Sequence, residues 1–147
     1  MIRPVAAGDR PIWTPLWTAY LAFYEAVLPE AVFDSTWRRL LDPAEPIWGA
    51  LDFDDTGRPV GLVHYIYHRH GWSLGDACYL QDLFVDPEAR GGGHGAALIA
   101  YVAAAAKAAG SSPLYWLTHE SNDTARRLYD RVAQRSGFIQ YRVALGG

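Results

Sequence analysis

The sequence predicts an α/β domain built on a mixed β-sheet, and three observations support this prediction. Half of the 147 residues are hydrophobic, which is enough to bury a core in a single domain, residues 1–147. Apolar residues recur every three or four positions in some segments and alternate in others, as in helices and strands. In chain order, these segments give one strand, two helices, a three-strand meander, and then helix, strand, helix, strand. This order predicts a sheet of about six strands.

The first half of the chain supplies the early strands and two helices. "MIRPV" predicts a strand, and the aromatic spacing from Pro11 to about Leu28 predicts a helix. A second helix is expected from Asp34 to Leu41, with Asp34 or Ser35 as its cap. Three strands follow, separated by the turns "DDTG" and "HGWSLG": residues 46–53, 58–69 and 77–85.

The second half of the chain continues with alternating helices and strands. A helix is expected from Ala96 to Lys107, ending at Gly110, and "PLYWLTH" predicts a strand. A further helix is expected over residues 122–135, followed by a last strand over residues 137–145.

The stretch "ARGGGHGAALIAY", residues 89–101, places a glycine cluster where a strand-following turn becomes a helix. Unpaired N–H groups and the positive end of the helix dipole meet there, and phosphate is the usual ligand. A dinucleotide fold would place such glycines at the start of the domain, and a P-loop needs Gly-Lys-Ser/Thr, so neither fits. The spacing R-x-x-G-x-[GA] does fit, with Arg90, Gly93 and Gly95.

With that motif and the segment "ESNDTARRLYDR" some thirty residues later, the sequence resembles the GCN5-related N-acetyltransferases, the GNAT family. The resemblance covers nearly the whole chain. Among family members, it looks closest to small acetyltransferases that include yeast enzymes acting on histones, polyamines or D-amino acids. It implies a mixed sheet with helices on both faces, and acetyl transfer from acetyl-coenzyme A to a primary amine.

The resemblance also implies how the cofactor is held. Backbone N–H groups of the glycine turn would surround the pyrophosphate, Arg90 would add positive charge, and the backbone of the preceding strand would pair with the pantetheine. Asn122 would contact the ligand, although an asparagine there also suits a helix cap. The cofactor-binding candidates are Leu83, Phe84, Val85, Arg90, Gly91, Gly92, Gly93, His94, Gly95, Ala96 and Asn122.

The resemblance gives Tyr129 the role of general acid, protonating the departing thiolate; alternatively, it is a core tyrosine of its helix. The general base is left open. Many relatives have glutamate where this chain has Gln81, and glutamine cannot accept the proton. Asp82 is adjacent but points to the opposite face of a regular strand, and a water chain ending at Asp82 or His64 is a further possibility.

The resemblance also implies that the first two helices line the acceptor pocket. The substrate-contact candidates are therefore Tyr24 and Glu25, together with Gln81 of the fourth strand. The net charge of −3 argues against nucleic acid as a partner. The absence of a signal-peptide pattern and of a long apolar run predicts a cytoplasmic protein without a membrane partner. His64, His68 and His70 share one strand face, but an aromatic-rich rim explains them better than a metal, and none is expected.

Two further expectations concern activity and assembly. A non-catalytic acyl-coenzyme A sensor on the same fold is the alternative to an enzyme. The apolar strand "FIQYRVAL" would form an exposed sheet edge, which predicts a homodimer whose C-terminal strands pair or exchange; a monomer with a free edge is the alternative.

Overall fold

The computed structural model describes residues 1–146. Its first compact unit, residues 1–117, contains a five-stranded sheet. The strands lie side by side in chain order, and all neighbours are antiparallel except the last two, which are parallel. The strands are β1 Ile2–Pro4, β2 Ile47–Phe53, β3 Pro59–His68, β4 Ala77–Val85 and β5 Leu114–Tyr115. A second compact unit begins at Thr118.

Three helices belong to the first unit and one to the second. They are α1 Arg10–Phe23, α2 Glu30–Leu41, α3 His94–Ala108 and α4 Asp123–Val132. Helices α1 and α2 pack on one face of the sheet through Trp13, whose ring centroid lies 5.0 Å from those of Trp17 and Trp37. Helix α3 covers the other face. A Cβ at Gly61 of β3 would lie 3.0 Å from Leu98, so the glycine lets this helix approach closely.

A β-bulge in β4 decides which side chains face which helices. His64 of β3 lies opposite Asp82, but the next residue, Tyr65, lies opposite Leu80, so Gln81 is an extra residue without a partner. Because alternation restarts after the bulge, Asp82 turns towards α1, while Leu80 stays on the α3 face. The opposite-face expectation for Asp82 held for a regular strand only, and it does not apply here because the bulge makes β4 irregular.

Helix α2 begins earlier than its sequence predicted. Asp34 and Ser35 lie inside the helix and cap nothing, and Asp34 instead binds Arg10 of α1 at 2.7 Å. Pro29, with φ −60°, occupies the position before the first helical residue. Proline suits this position because it needs no N–H partner and its fixed φ leads directly into the helix.

Helix α1 ends earlier than expected. Glu25 adopts a left-handed conformation with φ 54°, and the N–H of Ala26 bonds back to the carbonyl of Leu21 at 2.9 Å. This closing pattern satisfies carbonyls of the last turn and stops the helix.

The last predicted strand is absent from the structure. Residues 133–146 contain no helix or strand, and β5 is limited to Leu114–Tyr115, so the sheet has five strands and not about six. Phe138, Ile139, Tyr141, Val143 and Leu145 are all exposed, between 75% and 93%. The sequence pattern of this segment suits a strand, but a strand forms only where its backbone N–H and C=O groups find a partner.

Candidate active site

The bulge of β4 places a buried carboxylate next to a buried histidine. The indole N–H of Trp13 donates to Nε2 of His64 at 2.9 Å, and Nδ1 of His64 lies 2.8 Å from Oδ2 of Asp82. His64 is only 1% exposed, and Asp82 is 9% exposed. Histidine and carboxylate therefore form a fixed pair on the α1 face of the sheet.

Two tyrosines surround this carboxylate. Burial, followed by the charge and hydrogen bond of Asp82, raises the pKa of Tyr20 far above its ordinary value. Burial and the same charge also raise the pKa of Tyr79 on β4. Both phenols therefore stay protonated at neutral pH, and near Asp82 they can act as hydrogen-bond donors.

Aromatic rings extend from this position in two directions. Tyr79 stacks on Tyr115 of β5 with centroids 5.0 Å apart, and the hydroxyl of Tyr115 lies 2.7 Å from Nε2 of His68. On α1, Tyr20 contacts Tyr24 at a centroid distance of 5.1 Å. An aromatic surface of this kind suits an organic cation.

The substrate candidates lie at the surface of the first unit. Tyr24 ends α1 and is 46% exposed, Glu25 is exposed at the left-handed position that follows, and Gln81 is exposed at the bulge. The ring contact with Tyr20 brings Tyr24 towards the Asp82 cluster. The structure gives no such link for Glu25.

The turn between β4 and α3 has a backbone conformation that suits an anion. Gly91 and Gly93 have φ of 88° and 80°, and a Cβ on either would meet nothing within 4 Å. These glycines are needed for their backbone conformation and not to relieve crowding. The first helical bond runs from Ala97 N to Gly93 O at 3.0 Å, so the N–H groups of residues 94–96 have no partner inside the helix.

His94 connects this turn to the sheet. Its Nδ1 lies 2.7 Å from Oδ2 of Asp52 on β2, a carboxylate that is 2% exposed and also lies 3.3 Å from the amino group of Met1. The other edge of the His94 ring lies against Gly92, where a Cβ would be 3.2 Å from Nε2. The ring thus spans from the buried carboxylate to the glycine turn, while Arg90 is exposed at the start of the turn.

The edge of β4 beside β5 is largely open. Only Cys78 and Tyr79 pair with β5, whereas β4 pairs with β3 as far as Val85. In the first unit, Leu83, Phe84 and Val85 therefore have a strand neighbour on one side and none on the β5 side. This open edge lies directly before the glycine turn, and its backbone groups can pair with an added extended chain.

The second unit carries the two remaining candidates on α4. Asn122 precedes the helix, and its side-chain oxygen accepts from the N–H of Ala125 at 3.4 Å, so the capping role is confirmed. Ligand contact by Asn122 stays a prediction. Tyr129 lies on α4 and is half-buried.

Sequence reasoning missed the histidine–carboxylate pairs. His64 was considered as the end of a water chain and as a metal ligand, but its partners, Trp13 and Asp82, lie 51 and 18 residues away. Asp52 was not considered at all. His64 and Asp52 each interrupt an otherwise apolar strand at an inward position. Because buried polar side chains need partners, these interruptions were the signal available in the sequence.

Residues 1–146 contain no group of three or more His, Cys, Asp or Glu side chains arranged to hold a metal ion. Within the same residues, each helix is too short or too polar to span a bilayer.

The model of the Acetyltransferase (GNAT) family matches residues 13–133. The chain belongs to the GNAT acetyltransferase family. This acetyltransferase is also 34% identical, over 97% of its length and 89% of the relative's, to the D-amino-acid N-acetyltransferase HPA3 of Saccharomyces cerevisiae (strain ATCC 204508 / S288c). Family and relative support acetyl transfer to an amine, and the non-catalytic sensor is not favoured.

Solved structures share the fold of this acetyltransferase. One titled a probable acetyltransferase superposes with a TM-score of 0.87 at 19% identity, covering 100% of this chain and 99% of the other. The ribosomal-protein-alanine N-acetyltransferase of Brucella melitensis biovar Abortus 2308 gives 0.79 at 22% identity, covering 99% of both chains. At these identities the likeness establishes the fold, and the expected mixed sheet with helices on both faces is confirmed.

Proposed function

We propose that this acetyltransferase takes acetyl from acetyl-coenzyme A and delivers it to a small primary amine that attacks the thioester directly. The observation that carries the proposal is the sequence of features along β4. A carboxylate fixed at the bulge is followed by an unpaired strand edge and then by a turn with free N–H donors. These are the three functions the reaction needs: acceptance of a proton, alignment of an extended thioester, and binding of phosphate.

For the cofactor, we propose that the N–H groups from Gly91 to Ala96 and the side chain of Arg90 bind the pyrophosphate. Open space over Gly91 and Gly93, and the three unpaired N–H groups at the start of α3, fit such an anion. The backbone of Leu83, Phe84 and Val85 would pair with the pantetheine arm. Asn122 would add a ligand contact beside its capping role. Residues 1–147 would act as one domain, since the family match extends over both units.

For the chemistry, Asp82 is proposed as the proton acceptor. A primary amine with a lysine-like pKa of about 10.4 is mostly protonated at pH 7 and must lose a proton before it attacks. The attack forms a C–N bond, and collapse of the adduct breaks the C–S bond. The nitrogen then loses a second proton, and this proton and the one held by Asp82 pass to solvent. Tyr129 is proposed to give its phenolic proton to the departing thiolate and to regain one from solvent.

For the acceptor, we propose a small cationic amine, an amino acid, a polyamine or a peptide, contacted by Tyr24, Glu25 and Gln81. The aromatic rings of Tyr24, Tyr79 and Tyr115 and the single carboxylate of Asp82 favour a cation over a polyanion. The yeast relative's name assigns D-amino acids to that enzyme. We place the protein in the cytoplasm, with neither nucleic acid nor membrane as a partner.

The test is an amine panel assayed for release of free thiol from acetyl-coenzyme A, with the N-acetyl product identified by mass. The proposal expects thiol and product in equal amounts with at least one class of amine. A protein that is stabilised by coenzyme A but acetylates none of the amines would contradict it.

We further propose that the protein is a homodimer in which the C-terminal segments, residues 137–145, of two copies pair or exchange. Alternating apolar residues in this segment, exposed and without a strand partner in a single chain, support this arrangement. Val143→Lys should convert the dimer to a monomer in light scattering at micromolar concentration. Val27→Lys is the matched control, because Val27 is 95% exposed in the α1–α2 loop, and it should leave the dimer intact. A wild-type monomer would contradict the proposal.

A further inference from the structure

The hydrogen bonds around His64 fix its protonation. An indole N–H can only donate, so Nε2 of His64, 2.9 Å from Nε1 of Trp13, must accept and carries no proton. The proton of the neutral ring is then on Nδ1, which faces Oδ2 of Asp82 at 2.8 Å. Nδ1 donates and Asp82 accepts.

Both ring nitrogens are thereby occupied. His64 is 1% exposed, and it cannot take a proton at Nε2 without losing the bond from Trp13. The ring is therefore unsuited to accept a proton from a substrate. Its N–H can still hold Asp82 in one orientation through the hydrogen bond that Nδ1 donates to Oδ2.

We propose that His64, locked in one tautomer by Trp13, is a positioning residue that orients Asp82 as the proton acceptor. This inference rests on the proposed role of Asp82. It explains why a carboxylate that is 9% exposed lies at the bulge without an arginine or lysine partner among the described residues.

The other titratable groups around Asp82 are tyrosines. They are Tyr20 of α1, with Tyr24 beside it, and Tyr79 of β4. Burial and the nearby carboxylate raise the pKa of Tyr20 and Tyr79, so both remain neutral between pH 5 and pH 9. These two tyrosines therefore add no pH response of their own in that range.

The chain contains its own matched control. Trp13→Phe removes the indole N–H that fixes His64, whereas Trp17→Phe makes the same change in the stacked neighbour, whose buried Nε1 has no hydrogen-bond partner among the described residues. The two rings belong to the same core cluster, so the loss of volume is matched. Only Trp13→Phe releases Nε2 of His64 for protonation.

The experiment compares kcat/KM of the two variants from pH 5.5 to pH 9 with acetyl-coenzyme A and the amine found by the panel. We expect equal values within about twofold at pH 8. We expect Trp13→Phe to be about tenfold lower at pH 6, because a ring protonated at the released Nε2 is a cation next to Asp82 and makes this carboxylate a weaker proton acceptor. Superimposable profiles of the two variants would overturn the inference.

A second measurement needs no variant. ¹⁵N NMR of the wild-type protein at pH 8 should show His64 as the Nδ1–H tautomer. A ring that carries its proton on Nε2 would overturn the inference even if Trp13→Phe fails to fold. Failure of the proposed function gives a different result: inactivity of the wild-type protein towards every amine, whatever the tautomer.

Discussion

The bulge of β4 and the glycine turn that follows this strand have opposite requirements. At the bulge, Asp82 is buried, bonded to His64 and flanked by tyrosines, and His64 is bonded in turn to Trp13. Past the end of the strand, residues 91–93 are exposed, and the N–H groups of the first helical turn lack helical partners. A carboxylate that accepts a proton must be held in one orientation, whereas a turn that binds an anion must keep its donors available.

The two histidine–carboxylate pairs show the same contrast. On the α1 face, both nitrogens of His64 are bonded, and the ring is closed off from solvent. On the α3 face, His94 bonds Asp52 through Nδ1, and its other edge borders the glycine turn. The His64–Asp82 pair is closed off from solvent, whereas the His94–Asp52 pair extends towards the proposed pyrophosphate position.

The largest effect is expected at the closed pair. Asp82→Asn keeps an oxygen that can accept from Nδ1 of His64 but removes the basic carboxylate, so kcat should fall at least about 10³-fold with little change in coenzyme A affinity. Steady-state kinetics and calorimetry with coenzyme A measure the two quantities. Asp52→Asn, the buried carboxylate of the other pair, should show the reverse pattern: a raised KM for acetyl-coenzyme A and a preserved kcat. Equal kcat values for Asp82→Asn and Asp52→Asn would contradict the different roles proposed for these two carboxylates.

Tyr129→Phe sharpens the comparison by testing the proposed acid. The ring stays and only the hydroxyl is lost, so kcat should fall by about 10²–10⁴-fold when chemistry limits the rate. Tyr101→Phe is the control, since Tyr101 is also a half-buried helical tyrosine but belongs to the α3 face. Unchanged turnover would make Tyr129 a packing residue of α4.

A smaller effect on chemistry is expected at the open turn. Gly93→Leu strains a backbone with φ 80° and fills the open space above it, so the coenzyme A-induced rise in melting temperature should disappear, with at least about a tenfold loss of affinity. Gly57→Leu is the control: its φ is 83°, and its Cβ would also meet nothing within 4 Å. Both variants should lose similar stability. Normal coenzyme A binding by Gly93→Leu would contradict the proposal that the glycine turn binds the pyrophosphate.

The sequence predicted the parts of the molecule that local rules govern. Strand β4 was placed at residues 77–85, because alternating apolar residues between two turns mark a strand, and the glycine motif marked the turn after it. The bulge at Gln81 was not predictable, because a one-residue shift depends on pairing with β3. For the same reason, the partnership of Asp82, His64 and Trp13 needed the fold.

The C-terminal segment shows the converse limit. "FIQYRVAL" has a strand-like pattern and yet forms no strand in a single chain, because pairing is a property of two segments and not of one. The early start of α2 has a local cause, since Pro29 was a better signal than Asp34.

The most direct test compares the carboxylate at the bulge of β4 with the glycine turn after this strand. It measures single-turnover acetyl transfer by Asp82→Asn and Gly93→Leu at increasing concentrations of acetyl-coenzyme A. If the turn binds and the carboxylate does chemistry, high acetyl-coenzyme A should bring Gly93→Leu close to the wild-type rate. Asp82→Asn should stay slow at every concentration. If acetyl-coenzyme A restores both variants alike, or Asp82→Asn transfers acetyl at the wild-type rate, the division of roles along β4 is wrong.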